Sequence, residues 1–229
     1  MQATEGSGHR PFQEATRTQG SVLSVVERRC LLWLAERLPA WVSPDHLTLV
    51  ALVSSIGIGV FYSLARLSPR GLFAVSVLLA VNWFGDSLDG TLARVRRRER
   101  PRYGFYIDHI VDSLGAVLLL GGLGLSGLMS PGIAAGLLIA FLMLSVEVYL
   151  ATYTVGIFEI SHWRLSPTEI RIVLAVFNVV VYWFPAVKIW AHSYLLFDLL
   201  GKLGIACGVG MLVAAILRNL RTLHGVDPP

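Results

Sequence analysis

The chain has 229 residues, of which 55% are hydrophobic and 15% charged, and its formal net charge is +4. That balance is too apolar for a soluble domain of this length but ordinary for a bundle of membrane helices, so the bilayer is the chain's main solvent. Arginine supplies nearly all the positive charge without basic–aromatic interleaving, which speaks to topology and anionic membrane lipids and argues against a nucleic-acid partner.

Residues 1–20 are polar, with no charged start leading into an apolar core, so they read as a mobile tail and not as a cleaved signal peptide. A single membrane domain is expected over 21–229, with no internal repeat. Its first segment, Ser21–Leu38, mixes Glu27, Arg28, Glu36 and Arg37 with apolar residues at helical spacing, and Pro39 ends it. It is too charged to span, and reads either as an interfacial amphipathic helix or as a helix with a solvated face. Cys30 and Cys207 lack a CxxC or His-rich neighbour, so neither a disulfide framework nor a zinc site is expected.

Apolar runs follow at 46–66, 71–93, 104–128, 132–155, 168–189 and 193–217, each near the roughly 20 residues that cross the hydrocarbon core. The expected fold is therefore all-α, a polytopic bundle of about six transmembrane helices behind the interfacial one. An even number of spans places both termini on one side. Arg28, Arg29, Arg37, the cluster from Arg94 to Arg102, Arg164, Arg171, Arg218 and Arg221 fall on that side, against Arg66, Arg70 and Lys188 opposite. Both termini and the basic loop are expected to face the cytoplasm.

Four carboxylates lie in or at the ends of the second and third runs, where an uncompensated charge costs about 2.5–3.5 kcal/mol on insertion scales. Asp86, Asp89, Gly90 and Ala93 stand at helical spacing, as do Gly104, Asp108, Asp112 and Ala116 on the next run. Two carboxylate pairs and several small residues are thus expected to border a roomy cleft. Clustered negative charge with all-oxygen ligation suits hard cations, Mg²⁺ or Mn²⁺, whose natural companion is a phosphate. Gly90 and Ala93 would let a substrate approach the backbone, and Arg94 with the following arginines would hold phosphate charge. The plainer alternative, in which the aspartates only pair with Arg94 and its neighbours, leaves their number and spacing unexplained.

Asp86-x2-Asp89-Gly90-x2-Ala93-Arg94, nine residues, then Gly104-x3-Asp108-x3-Asp112 resembles the complete signature of the CDP-alcohol phosphotransferases. The resemblance implies transfer of a substituted phosphate from a CDP-linked alcohol to a lipid or polyol hydroxyl, with release of CMP, in phospholipid biosynthesis. It implies six transmembrane helices, a homodimer and an active site at the cytoplasmic side. It also implies that Asp86, Asp89 and Asp108 chiefly ligate a pair of metals, with Asp112 as general base and ligand of the second ion. Ser43-Pro44-Asp45-His46 is similar to the family's segment at the first span. There Asp45 replaces a nucleotide-site asparagine, while Ser43 or Asp45 also suits a helix cap.

Asp108-His109-x2-Asp112-Ser113 resembles the cholinephosphotransferase and ethanolaminephosphotransferase branch, in which the matching histidine is a proposed base. Tyr153-Thr154-Val155-Gly156 and Ser166-Pro167-Thr168-Glu169 are similar to that branch's downstream segment, and favour a CDP-aminoalcohol donor over CDP-diacylglycerol. Phe105, where the branch usually has an acidic residue, departs from it. A solitary His near a helix end is otherwise structural.

Asp198 and Lys202 stand at i and i+4, where they can pair, and both read as structural. Glu147 is expected either to line a substrate passage or to bond a neighbouring helix, and Glu159, His162 and Arg164 to form a solvated loop. Two rival functions share the acidic residues: a membrane prenyltransferase, whose first motif would begin Asn-Asp where this chain has Gly85-Asp86, and a cation- or proton-coupled transporter.

Overall fold

The computed structural model describes residues 23–155, 167–190 and 192–226. The tail at 1–20, Gly156, Ser166 and the loop carrying Glu159, His162 and Arg164 lie outside the described residues. The described elements are helices α1 (Leu23–Arg37), α2 (Pro44–Leu64), α3 (Gly71–Val95), α4 (Pro101–Leu125), α5 (Pro131–Val155), α6 (Pro167–Trp183) and α7 (Leu196–Val226), with strands β1 (Ala186–Ile189) and β2 (His192–Leu195) between the last two helices. The fold is an all-α polytopic bundle with one short hairpin.

Local chemistry sets the helix ends. Ser43 caps α2 by accepting from the His46 amide, and His46 Nδ1 returns the bond to the Ser43 amide, while Pro44 occupies the first turn. Pro101, Pro131 and Pro167 open three more helices, where the missing N–H is an orphan anyway. Gly127 turns the chain between α4 and α5 at φ 74, a conformation that favours glycine.

Among the described residues, five helices, α2, α3, α4, α5 and α7, are long and apolar enough to cross a bilayer. The sixth expected span is shorter than the apolar run at 168–189 suggested. α6 stops at Trp183, two residues before Pro185, and has 17 residues, about 25 Å of helix. The rest of that run pairs instead as a hairpin, from Ala186 opposite Leu195 to Ile189 opposite His192, with Trp190 at φ 57 in the turn. The last helix correspondingly begins at Leu196, not 193, and runs on to Val226.

Neighbouring helices follow the order α6, α3, α2, α4, α5, α7, and α7 returns to touch α6. Thus α2 lies between α3 and α4, whose backbones do not pack along each other. Small residues make the close approaches that lipid-embedded packing needs. A methyl on Gly85 would sit 2.6 Å from the Leu47 carbonyl oxygen, and one on Gly122 would collide with the backbone of Gly59. So α2 touches α3 and α4 backbone to backbone. α1 lays Leu31 and Ala35 against Leu88 and Leu92 of α3, and Glu27 accepts from Trp83 Nε1 at 2.8 Å and from the Thr168 hydroxyl at 2.6 Å. One face of α1 is therefore fastened to α3 and α6, while Arg28, Arg29, Glu36 and Arg37 remain exposed.

At the far end from the acidic residues, Tyr62 donates to Asn178, which donates to Ser76, beneath a core of Leu72, Val75, Val181 and Phe197. Asp198 does not pair with Lys202. It accepts from the amide and hydroxyl of Ser130 at 2.7 and 2.6 Å, bracing the start of α5, while Lys202 lies over the Tyr194 ring. Glu147 accepts from Asn219 at 2.6 Å, tying α5 to α7. Both groups join helices, the use of intramembrane polarity that needs no ligand.

Candidate active site

Antiparallel succession gathers one set of helix ends: the start of α2, the end of α3, the start of α4, the end of α5 and the start of α6. These ends carry Thr48, Asp86 and Asp89, Asp108 and Asp112, Tyr149, and Arg171 respectively.

Asp89 is half-buried. Its Oδ2 accepts from the Thr48 hydroxyl at 2.6 Å and its Oδ1 from the Gly90 amide at 2.5 Å. The charges of both Asp86 and Asp108 act on it, so three carboxylates from α3 and α4 share one electrostatic neighbourhood across the gap that α2 keeps open. Asp86 is held from α6: Arg171 Nη2 lies 2.7 Å from its Oδ2, and Arg171 Nε donates to Asn82 at 2.9 Å. Asn82, one turn before Asp86, donates in turn to the Ala51 carbonyl and the Ser55 hydroxyl of α2. Arg171 is thus part of the acidic neighbourhood, although sequence reasoning counted it only as a topological charge.

Asp108 and Asp112 both act electrostatically on Tyr149 of α5, whose hydroxyl interacts with Ser113 and Ser145. Asp112 is exposed where Asp108 is half-buried. His109 Nδ1 lies 2.6 Å from the Phe105 carbonyl oxygen, and its ring rests between Phe105 and Tyr149. A carbonyl can only accept, so Nδ1 carries the proton and a neutral ring keeps its lone pair at Nε2.

The small residues border space. A methyl on Gly90 would meet only the tip of Arg94 within 4 Å, and one on Gly104 would meet nothing. Ala93, one turn from Gly90, is half-buried on the same helix. Arg94 is exposed and donates weakly to Thr91 at 3.4 Å. Two other arginines of the basic loop are committed elsewhere: Arg96 donates to the carbonyls of Leu38, Pro39 and Val42, closing the end of α1, and Arg100 pairs with Asp45. Asp45 therefore meets the α3–α4 loop and not the carboxylate group.

Among the described residues, no three Asp, Glu, His or Cys side chains converge closely enough to hold one ion as they stand. Their partners explain this, since Asp86 is drawn to Arg171 and Asp89 to Thr48. The donor set itself fits a hard cation: carboxylate oxygens from two helices, near one another and beside open backbone at Gly90 and Gly104.

A family model for CDP-alcohol phosphatidyltransferases matches residues 41–220, from the linker before α2 into α7. The chain belongs to the CDP-alcohol phosphatidyltransferase family. The matched region contains every residue of the acidic neighbourhood, and the family's enzymes transfer substituted phosphate groups. A stretch of 124 residues is 32% identical to a CDP-diacylglycerol–serine O-phosphatidyltransferase of Encephalitozoon cuniculi (strain GB-M1), covering 52% of this chain and 32% of that relative. The chain thus matches about a third of that relative's length. With five long apolar helices among its described residues, this member of the family is an integral membrane protein.

Proposed function

We propose that the chain transfers a substituted phosphate from a CDP-linked alcohol to a hydroxyl acceptor and releases CMP, building a phospholipid. The observation that carries this reading is the shared neighbourhood of Asp86, Asp89 and Asp108, drawn from two helices that α2 holds apart, beside glycines that leave the backbone open. A diphosphate can enter such a gap where a side chain would otherwise block it.

Asp86, Asp89, Asp108 and Asp112 would hold two divalent ions, Mg²⁺ or Mn²⁺, which supply charge neutralisation at the diphosphate. Asp112 takes the proton of the incoming hydroxyl, a role suited to the most exposed carboxylate of the four. His109, which follows Asp108 on the same helix, would share the acid–base work with Asp112. Arg94, exposed beside Gly90, steadies the phosphates as the bond to CMP lengthens. The arginine distribution supports termini and site on the cytoplasmic side, and the family resemblance supports a homodimer.

On the donor, the Asp108-His109-x2-Asp112-Ser113 pattern favours a CDP-aminoalcohol and a lipid acceptor. A second reading has its own observation: the relative's name points to CDP-diacylglycerol as donor and a small polar hydroxyl acceptor. The test is CMP release by purified full-length protein in lipid nanodiscs with Mn²⁺. CDP-choline or CDP-ethanolamine with diacylglycerol is compared with CDP-diacylglycerol and serine or polyols. CMP from the first pair supports the aminoalcohol reading, and CMP from the second supports the other. Silence across the panel with cation flux in vesicles would replace both with a transporter, and use of a prenyl diphosphate would replace them with a prenyltransferase.

A further inference from the structure

Among the described residues, one buried side-chain nitrogen finds no hydrogen-bond partner: Nη1 of Arg171. The other two nitrogens of that guanidinium are engaged, Nε with Asn82 at 2.9 Å and Nη2 with Asp86 at 2.7 Å, and the side chain is only 15% exposed. Nη1 carries two N–H donors, and leaving them unmade beside low-dielectric surroundings is unfavourable. Elsewhere in the bundle, buried polar groups such as Asn178, Ser126 and Ser55 are bonded.

The mounting of Arg171 is rigid. Asn82 spends its amide N–H groups on Ala51 and Ser55, which fixes its oxygen toward Nε. One turn earlier on α6, Thr168 donates to Glu27 of α1. Two contacts therefore set where the guanidinium sits, and Asp86 balances its charge. A group whose only task was to neutralise Asp86 would need one donor and one charge, which a lysine supplies. The planar fork held at two points, with its third nitrogen buried and unmet, suits recognition of an oxygen anion.

We propose that Arg171 is an oxyanion-binding residue of the site, taking a phosphate or carboxylate oxygen of the bound substrate at Nη1 beside Asp86. This rests on the transferase reading above, and extends it to a helix outside the acidic signature. The shared chemistry is a negatively charged oxygen, and its two sources are the donor's diphosphate and an anionic group on a small hydroxyl acceptor.

The test compares wild-type and Arg171→Lys full-length chains in nanodiscs with Mn²⁺, by calorimetric or filter binding of CDP and, separately, of L-serine. Lysine keeps the charge beside Asp86 and loses the fork. One of the two affinities should weaken roughly tenfold to a hundredfold, the range of a charge-assisted hydrogen bond. Weakened CDP binding assigns the oxyanion to the diphosphate, and weakened serine binding with CDP intact assigns it to a carboxylate. Unchanged affinity for both probes overturns the proposal while leaving the transferase reading in place. A wild-type chain that binds no CDP overturns both. Should Arg171→Lys fail to fold, Asn82→Ala releases Nε instead, and a folded Asn82→Ala chain with unaltered binding of both probes counts against the role.

Discussion

Arg171 and Asp86 are 85 residues apart in the chain and meet at 2.7 Å, joining the start of α6 to the acidic end of α3. The pair is mostly buried, at 15% and 19% side-chain exposure, so each charge depends on the other.

Removing one member of this pair should therefore be worse than removing both. Arg171→Leu is expected to lower stability by about 3 kcal/mol, because Asp86 is left buried without its partner. The double variant Arg171→Leu/Asp86→Leu should recover much of that loss. Thermal unfolding of detergent-solubilised protein checks it, and a double variant less stable than the single one would count against the pair's mutual dependence.

Asp112→Asn is expected to abolish CMP release while CDP binding persists, since the amide keeps the shape but takes no proton. Activity above about a tenth of wild type, a loss of less than about 1.4 kcal/mol of transition-state stabilisation, would defeat the assignment of Asp112 as base. Chelation of divalent ions should silence the wild-type enzyme, and added Mn²⁺ should restore it.

Gly85 and Gly104 should respond oppositely to the same added methyl. Gly85→Ala drives a carbon to 2.6 Å from the Leu47 carbonyl oxygen, and overpacking of this kind costs about 1–3 kcal/mol. Gly104→Ala meets nothing within 4 Å, so its stability should hold while CDP binding falls if substrate fills that space. Paired measurement of unfolding temperature and CDP affinity separates the two effects.

Glu27→Ala removes an acceptor shared by Trp83 and Thr168. It should loosen α1 from the bundle, cost about 1–3 kcal/mol, and expose the segment around Arg28 and Arg29 to trypsin. Equal cleavage rates in variant and wild type would show that α1 is held by its apolar face alone.

What could be read before folding was local. Asp86, Asp89, Asp108 and Asp112 announce themselves by spacing within two helices, and the Ser43–His46 cap is written in four consecutive residues. What could not be read depends on which helices meet. Arg171 lay in an apolar run, where a charge is by default a sign of function, yet its partner sits on a helix three elements earlier. Asp198 had a ready cation at Lys202, but the unpaired Ser130 amide at the start of α5 offered a better-placed donor. The hairpin was hidden because Ala186–Ile189 is as apolar as the helix before it, and Pro185 alone marks the change.

The placement of α2 has a consequence for the whole catalytic end. Because the two aspartate-bearing helices do not lean on each other, nothing in their own sequences dictates how wide the separation between them is. That width belongs to a wedge whose thin edges are Gly59 and the Leu47–Ala51 backbone. Thickening the wedge by a single carbon would spread the jaws on either side of it, so a residue that touches no substrate can still govern the bite.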